Sequence, residues 1–276
     1  MKRIAALLTV HNRKDKTQAC LRNLFDQIMP DDTELDVYLT DDGCTDGTRE
    51  LVMEQFPQVQ IVEGDGNLFW NRGMIAAWKE AAKCNYDYYL WLNDDTYIYQ
   101  NVLKRLVSSS LAHGNSAIIV GSTVDTATHS KQTYGGRIKK DIIPPCEGCD
   151  TRIDYFNGNI VLVPRAVYNK LGLLDSFFSH SKGDFDYGMR AKQCGIEMYQ
   201  IGVVGGECDV HESISKWCNS SVPLKQRWQA LYRPNGMPPK ESFHLNHRHY
   251  GLVSAIRVYC TIHLRCFFPR LWLKKI

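Results

Sequence analysis

The sequence predicts an α/β protein: a mainly parallel sheet flanked by helices, followed by a helical C-terminal extension. Three observations predict it. Short apolar runs alternate with segments of helical period through residues 1–121, the pattern of a parallel sheet with helices on its faces. Those runs end in polar, Asp- and Gly-rich turns, which a parallel sheet would gather along its carboxyl edge. From Ser215 the pattern becomes helical and, toward the end, basic.

The elements follow in order. Ile4–Val10 is an apolar run suited to a buried strand. Lys14–Met29 reads as a helix, with Cys20, Leu24, Phe25 and Ile28 at helical spacing. Leu35–Thr40 is the second strand. Thr45 or Asp46 caps a helix running through Phe56. Gln60–Glu63 is a strand. Asn71–Lys83 is a helix with Met74, Ala77, Trp78 and Ala81 on one side. Tyr88–Asn93 is a strand, Asn101–His113 a helix and Ala117–Gly121 a strand. The second half is less regular. Tyr134–Ile138 and Tyr155–Val163 read as strands around a loop with Pro144-Pro145. Arg165–Leu171 is a short helix. Asp184–Cys194 is a helix closed by Gly195, and Ile196–Val203 is a strand. Residues 1–214 then form one unit, with halves at 1–121 and 122–214. Residues 215–276 form the extension, interrupted at Pro234–Pro239.

Composition excludes several classes. The 276 residues are ordinary in apolar content, so a full core is expected. The start lacks the pattern of a signal peptide, and no run approaches the roughly 20 apolar residues of a membrane-spanning helix. Ten scattered cysteines fit reduced thiols in a cytoplasmic protein better than a disulfide framework. Cys146 and Cys149 have zinc-like spacing but no second pair, which favours two free thiols in a loop. The net charge of +3 is uneven. From Phe243 onward there are six Lys or Arg and no acid, leaving 27 basic against 30 acidic residues in the body.

One stretch sets the chemical problem. YDYYLWLNDDTYI drives a greasy run into Asn93-Asp94-Asp95. Two adjacent carboxylates at the end of a buried strand repel and lose hydration unless a positive group joins them. Three more polar turns fall at strand ends: Thr9–Arg13, Asp41-Asp42-Gly43 and Gly64–Asn67. Each alone is an ordinary capped turn; four on one edge make a site. LLTVHNR, VYLTDDGCTDGT and YYLWLNDDTYI together resemble the nucleotide-sugar-binding half of family 2 glycosyltransferases, which have the GT-A fold with its Rossmann-like sheet. FNGNIVLVPRAVYNKLGLLDSFF and HSKGDFDYGMRAKQCG are similar to the acceptor half of that family. The resemblance spans roughly residues 3–213.

The resemblance implies an inverting glycosyltransferase that uses a nucleotide diphosphate sugar and a divalent cation, Mn²⁺ or Mg²⁺. Carboxylate oxygens suit such ions, which bind through one or two carboxylates plus substrate phosphates. It implies that Asp95 is a metal ligand and that Asp94 faces the ribose or the metal's water shell. Asp41 would accept from the base, and Asp42 caps the turn. Thr9, Asn12 and Arg13 share the donor rim. Asn67 and Trp70 lie in the loop beside the nucleotide, although Trp70 equally suits a core position. Asn157 and Gly158 fall on the acceptor side, with Asp186. Inverting transfer needs a carboxylate to take the acceptor's proton, and Asp184 matches the family's base. The plainer reading of Asp184 is a carboxylate favoured at a helix N-terminus. Asp186 would support it and pair with Arg190 one turn on. Gly183 departs from the Glu many relatives carry, and Asn93 from the commoner Asp. His211 would complete the metal shell or meet the diphosphate.

The basic, aromatic-rich tail, with Arg257, Arg265, Arg270, Lys274 and Lys275, suits either contact with an anionic membrane or packing on the body. The first would put a peripheral enzyme on the inner face of the membrane beside a glycan or lipid-linked acceptor, as in surface polysaccharide synthesis. No nucleic-acid module accompanies the charge. Two rival functions remain. A sugar nucleotidyltransferase would want a Gly-rich phosphate loop after the first strand, where His11-Asn12-Arg13 offers none. A binding module without catalysis is kept open by Gly183.

Overall fold

The computed structural model describes residues 1–210 and 214–272. Its strands are β1 (Lys2–Val10), β2 (Thr33–Asp41), β3 (Gln60–Glu63), β4 (Tyr88–Leu92), β5 (Tyr97–Ile98), β6 (Ile118–Val124), β7 (Gln132–Tyr134), β8 (Gly136–Ile138), β9 (Asp141–Ile142), β10 (Thr151–Arg152), β11 (Tyr155–Phe156), β12 (Ile160–Pro164) and β13 (Met198–Glu207). The main sheet runs in the order β10-β13-β6-β12-β4-β1-β2-β3. Strands β3, β2, β1 and β4 are parallel neighbours, and β13 is parallel to β6. Strand β12 is inserted antiparallel between β4 and β6. The chain steps from β1 to β2 and β3 on one side and returns to β4 on the other. The strand order therefore reverses between β1 and β4, where open α/β sheets bind ligands.

Helices α1 (Lys14–Phe25), α2 (Thr48–Gln55), α3 (Phe69–Ala81), α4 (Val102–Ala112), α5 (Arg165–Leu171) and α6 (Gly183–Gln193) cover the sheet. Alternation along fully buried strands divides them between two faces. Ile4, Ala6 and Leu8 pack with Leu21 and Leu24 of α1, Val52 of α2 and Leu103 and Leu106 of α4. Ala5 and Leu7 face Met74 and Trp78 of α3, Val167 of α5 and Tyr187 of α6. Trp78 anchors that second face, with its ring against Tyr89, Trp91, Tyr168 and Tyr187.

Several expected boundaries move. The first helix stops at Phe25 rather than Met29, and the last strand extends to Glu207. The single strands expected at Tyr134–Ile138 and Tyr155–Val163 are each two. Strand β7 pairs with β6 of the main sheet, whereas β8 joins β9 and β11 in a second, three-stranded sheet. Gly135, at φ +150°, makes the switch between them. Gly47 is the N-cap of α2, and Asp46, one residue before it, holds the helix start: its carboxylate accepts from the Thr48 N–H at 3.1 Å and the Lys14 N–H at 3.0 Å.

The extension consists of a 3₁₀ turn (Lys216–Cys218), α7 (Leu224–Leu231), α8 (Pro239–Tyr250), α9 (Leu252–Phe267) and a second 3₁₀ turn (Pro269–Trp272). Trp217, Cys218, Leu231, Ile262 and Cys266 form its own small core. Arg227 donates to the carbonyls of Cys266 (2.8 Å) and Phe267 (3.3 Å), satisfying the open end of α9. Helix α8 docks onto the body through charge. Arg248 and His249 reach Asp186 of α6 at 2.7 and 2.9 Å. Arg248 and His244 reach Asp175 at 2.6 and 3.1 Å. Glu241 accepts from the Ser179 N–H and hydroxyl at 3.1 and 2.6 Å.

Candidate functional site

A cleft of about 760 Å³ opens at the sheet edge where the strand order reverses. Its floor is the ends of β1 and β4. Arg13, just past β1, lays one guanidinium nitrogen between Asp94 Oδ1 (3.1 Å) and Asp95 Oδ2 (2.7 Å). That nitrogen is the positive group the adjacent carboxylates require. It does not satisfy them fully. Asp94 Oδ2 is buried without a hydrogen-bond partner. Burial pushes the Asp94 carboxyl up to about 7, against the pull of Arg13 and with the help of Asp95. Asn93 turns its side-chain oxygen to the Trp70 indole N–H at 2.7 Å. An amide here thus fixes the tryptophan without adding a third charge.

The turns after β2 and β3 close one side. The Asp42 carboxylate accepts from the N–H groups of Gly66 (2.9 Å), Leu68 (3.1 Å) and Phe69 (2.8 Å). Asp42 therefore does more than cap its own turn: it holds the loop that brings Phe69 and Trp70 to the cleft. Gly43 and Gly66 both have positive φ, and a Cβ on Gly43 would lie 2.9 Å from Gly66 Cα. Only glycines allow that approach.

The Asn157–Asn159 turn joins the two halves of the site. The Asn159 carbonyl accepts from the Asn93 N–H at 3.3 Å, and the Gly158 N–H donates to Asp184 Oδ2 at 3.0 Å. A Cβ on Gly158 would come 2.7 Å from the Trp70 ring. Asp184, in the first turn of α6, also accepts from the Phe185 N–H at 2.9 Å. Burial nevertheless pushes its carboxyl up to about 6, outweighing those two donors. The departure at Gly183 has a steric cause. A side chain there would run into Asn71 Oδ1, because Asn71 is held by the carbonyls of Asp175 (2.9 Å) and Phe178 (2.8 Å).

Of the residues singled out by sequence, Thr9, Arg13, Trp70, Asp94, Asp95, Asn157, Gly158 and Asp184 line this cleft. Four do not. Asn12 anchors the Thr45 N–H at 2.7 Å. Asp41 is 5% exposed and turns its carboxylate to the Cys44 N–H (2.8 Å) and Arg49 (3.5 Å). Asn67 packs locally against Asp65. Asp186 is fully buried and points to Arg190, Arg248 and His249. His211 lies outside the described residues. Trp70 answers its two readings together, lining the cleft while its ring packs edge-on against Trp91.

Sequence reasoning missed His180, Lys182, Cys208, Asn235 and Met237, which also line the cleft. His180 and Lys182 stand beside Gly183-Asp184, so proximity was the available signal. Nothing local announces Asn235 and Met237, which the extension folds back to the site.

A divalent ion fits this donor set in part. Asp94 and Asp95 present hard oxygens, one of them buried and unpartnered, and a phosphate-bridged ion needs only one or two carboxylates. Among the described residues no group of three or more His, Cys, Asp or Glu is arranged to hold a metal. Cys146 and Cys149 are free and exposed, with sulfurs 2.9 Å apart.

A family model described as Glycosyl transferase family 2 matches residues 6–159, more than half of the chain. Among solved structures, S. aureus TarS 1–349 in complex with UDP-GlcNAc superposes with a TM-score of 0.61 at 12% identity, covering 100% of this chain and 77% of that one. The mannosyltransferase PcManGT from Pyrobaculum calidifontis, in complex with GDP-Man and Mn²⁺, gives 0.60 at 14% identity, covering 99% and 88%. At such identities these likenesses show the shared fold alone. No curated protein sequence matches at a significant level.

Proposed function

The chain belongs to glycosyl transferase family 2, and from that premise we propose an inverting, metal-dependent transferase. It would move a sugar from a nucleotide diphosphate sugar to a hydroxyl of a glycan or lipid-linked glycan, in surface polysaccharide synthesis. The observation that carries this reading is Asp184, a cleft carboxylate raised to about 6 and tied through the Gly158 turn to the strand that ends in Asp94-Asp95. A carboxylate titrating near neutrality is matched to proton transfer.

In this reading the acceptor hydroxyl attacks the anomeric carbon, and Asp184 takes its proton as the bond forms. The backbone N–H groups of Gly158 and Phe185 hold the carboxylate in place, so little reorganisation accompanies the step. Asp95, with Asp94 beside it, would hold Mn²⁺ or Mg²⁺, which when bound supplies Lewis-acid stabilisation of the leaving diphosphate. Arg13 keeps the carboxylate pair compatible with burial until substrate arrives. Asn12, Asp41 and Asn67 act from behind the donor wall by fixing its turns. Residues 1–214 are the catalytic unit, with the acceptor entering beside Asn157 and Gly158. Residues 215–276 complete the cleft through Asn235 and Met237. No described helix is long and apolar enough to cross a membrane; we place the enzyme in the cytoplasm, resting on the inner membrane face through the extension.

The test is thermal stabilisation by UDP, GDP, dTDP and CMP, each with and without Mn²⁺. A ligand that binds the native state alone raises its melting temperature. The expected result is a cation-dependent shift with one diphosphate that disappears in Asp95→Ala. No shift with any nucleotide would remove the donor assignment.

A further inference from the structure

Lys182 is a buried cation that the reaction as outlined leaves unused. Three observations set it apart. Its backbone is left-handed, φ +75°, at the residue preceding α6. For a long side chain that conformation costs on the order of 1 kcal/mol, and such outliers persist where the surroundings hold them, often at functional sites. Its Nζ is buried and has no hydrogen-bond partner, yet the residue lines the cleft. An ammonium out of water and out of contact with an anion is unfavourable. Third, it does not stand alone. His180 lines the same cleft, and its Nδ1 is also buried and unpartnered. Burial, then Arg13, then Lys182 disfavour protonation of that imidazole, which places His180 within the fields of both cations. The Phe69 ring, edge-on at 6.3 Å, steadies it. Arg13, His180 and Lys182 thus line one cleft together with Asp94, Asp95 and Asp184.

Burial lowers the Lys182 ammonium below its ordinary value, and the facing carboxylates of Glu241 on α8 and Asp184 on α6 offset that only in part. Neither bonds it. Glu241 spends one oxygen on Ser179, and its other oxygen is itself unpartnered.

We propose that Lys182, with His180 beside it, binds the sugar-linked phosphate of the donor's diphosphate, on the side of the anomeric carbon away from the attacking hydroxyl. This rests on the donor reading above. As the bond from the anomeric carbon to the phosphate oxygen breaks, its electron pair stays on that oxygen. The Lys182 ammonium donates a hydrogen bond to the developing charge, while the acceptor's proton passes to Asp184. Such a donor is worth most where charge grows in the transition state.

The test compares nucleoside diphosphate, nucleoside monophosphate and inorganic pyrophosphate binding by calorimetry, in Mg²⁺, for the wild type, Lys182→Gly and Lys182→Arg. Glycine suits φ +75°, so Lys182→Gly should melt no lower than the wild type. The expected result is a loss of about tenfold or more in diphosphate and pyrophosphate affinity, with monophosphate affinity kept and Lys182→Arg restoring most of the loss. Diphosphate affinity within about twofold of wild type in Lys182→Gly would overturn the proposal while leaving the donor reading intact. Equal losses for monophosphate and diphosphate would mark Lys182 as structural and also overturn it. A wild type that binds neither diphosphate nor pyrophosphate would remove the donor reading, and this proposal with it.

Discussion

In the proposed mechanism Asp184 would trade stability for chemistry. Its carboxyl is raised to about 6, so burial disfavours the charged form. The sign follows: a carboxyl raised in the folded state adds stability while protonated, and that contribution is lost as pH rises from about 4 through about 6. At neutral pH the charged Asp184 therefore costs the fold something on the order of 1 kcal/mol, after allowance for water in the open cleft. Asp184→Asn should then melt at an equal or slightly higher temperature while turnover falls by about 10²-fold or more. In the wild type, turnover should rise with pH through about 6. An unchanged rate in Asp184→Asn would remove this residue from the mechanism. A neighbouring position gives a steric counterpart. Gly158→Ala would press a methyl onto the Trp70 ring, 2.7 Å away, and should destabilise by roughly 1–3 kcal/mol, measured by denaturant unfolding. At this scale the sequence was most legible where chemistry is local. Asn93-Asp94-Asp95 and Asp184 stand out as residue types at strand and helix ends. Arg13 as their bridge, and Asp41 turning away while Asp42 faces the cleft, depend on side-chain directions that no local pattern encodes.

At the scale of elements, the side of the cleft that holds Asp184 is braced from outside the sheet. The expected Asp186–Arg190 pair, one helical turn apart, is present at 2.9 Å. It is the smaller part of what Asp186 does, since Arg248 and His249 arrive from 62 and 63 residues away. Burial alone would raise Asp186, but His249, Arg248 and Arg190 hold it below the usual carboxylate range. Asp175 is lowered in the same way. For depressed carboxyls the contribution is present above the unfolded value and is lost as pH falls, so acid should loosen α8 from α6. Arg248→Met leaves the buried Asp186 and the half-buried Asp175 short of a partner and should cost about 1–3 kcal/mol, less than a full buried-pair break because Arg248 is partly in water and Arg190, His249 and His244 remain. Because α6 carries Asp184, transfer should fall, while nucleotide binding at Arg13, Asp94 and Asp95 should persist. Parallel loss of nucleotide affinity would show general unfolding instead. The strands were legible because a sheet buried on both faces demands continuous apolar runs. The split of Tyr155–Val163 into strands of two different sheets was not, since both pieces are apolar and only Gly158 and the partners decide the break.

At the scale of the whole molecule, the extension packs on the body, and the proposed membrane contact would fall to the surface that this packing leaves open. Helix α8 packs on the body, and α9 packs inward through Ala255, Ile262 and Cys266. The outer side of α9 and of the 3₁₀ turn after it stays uncovered: Val253 is 82% exposed and Leu271 75%, with Ile256, Leu264, Phe267, Phe268 and Trp272 also exposed. Arg257 and Arg270 are exposed on the same segment, which has no acid. In the proposed placement, apolar side chains entering the headgroup region, flanked by arginines each worth about 1 kcal/mol at an anionic surface, would make a peripheral contact of moderate, salt-sensitive strength. The protein should pellet with vesicles rich in phosphatidylglycerol, less with neutral phosphatidylcholine, and less again as salt rises. Substituting Val253→Glu together with Leu271→Glu should abolish pelleting and leave the melting temperature and nucleotide binding unchanged, because both side chains point away from the body. Removal of the whole extension would not isolate the effect, since it also strips Asp186 and Asp175 of their partners. If the doubly substituted protein pellets as well as the wild type, this side is not the membrane contact, and a lipid-linked acceptor would have to reach the cleft by some other surface.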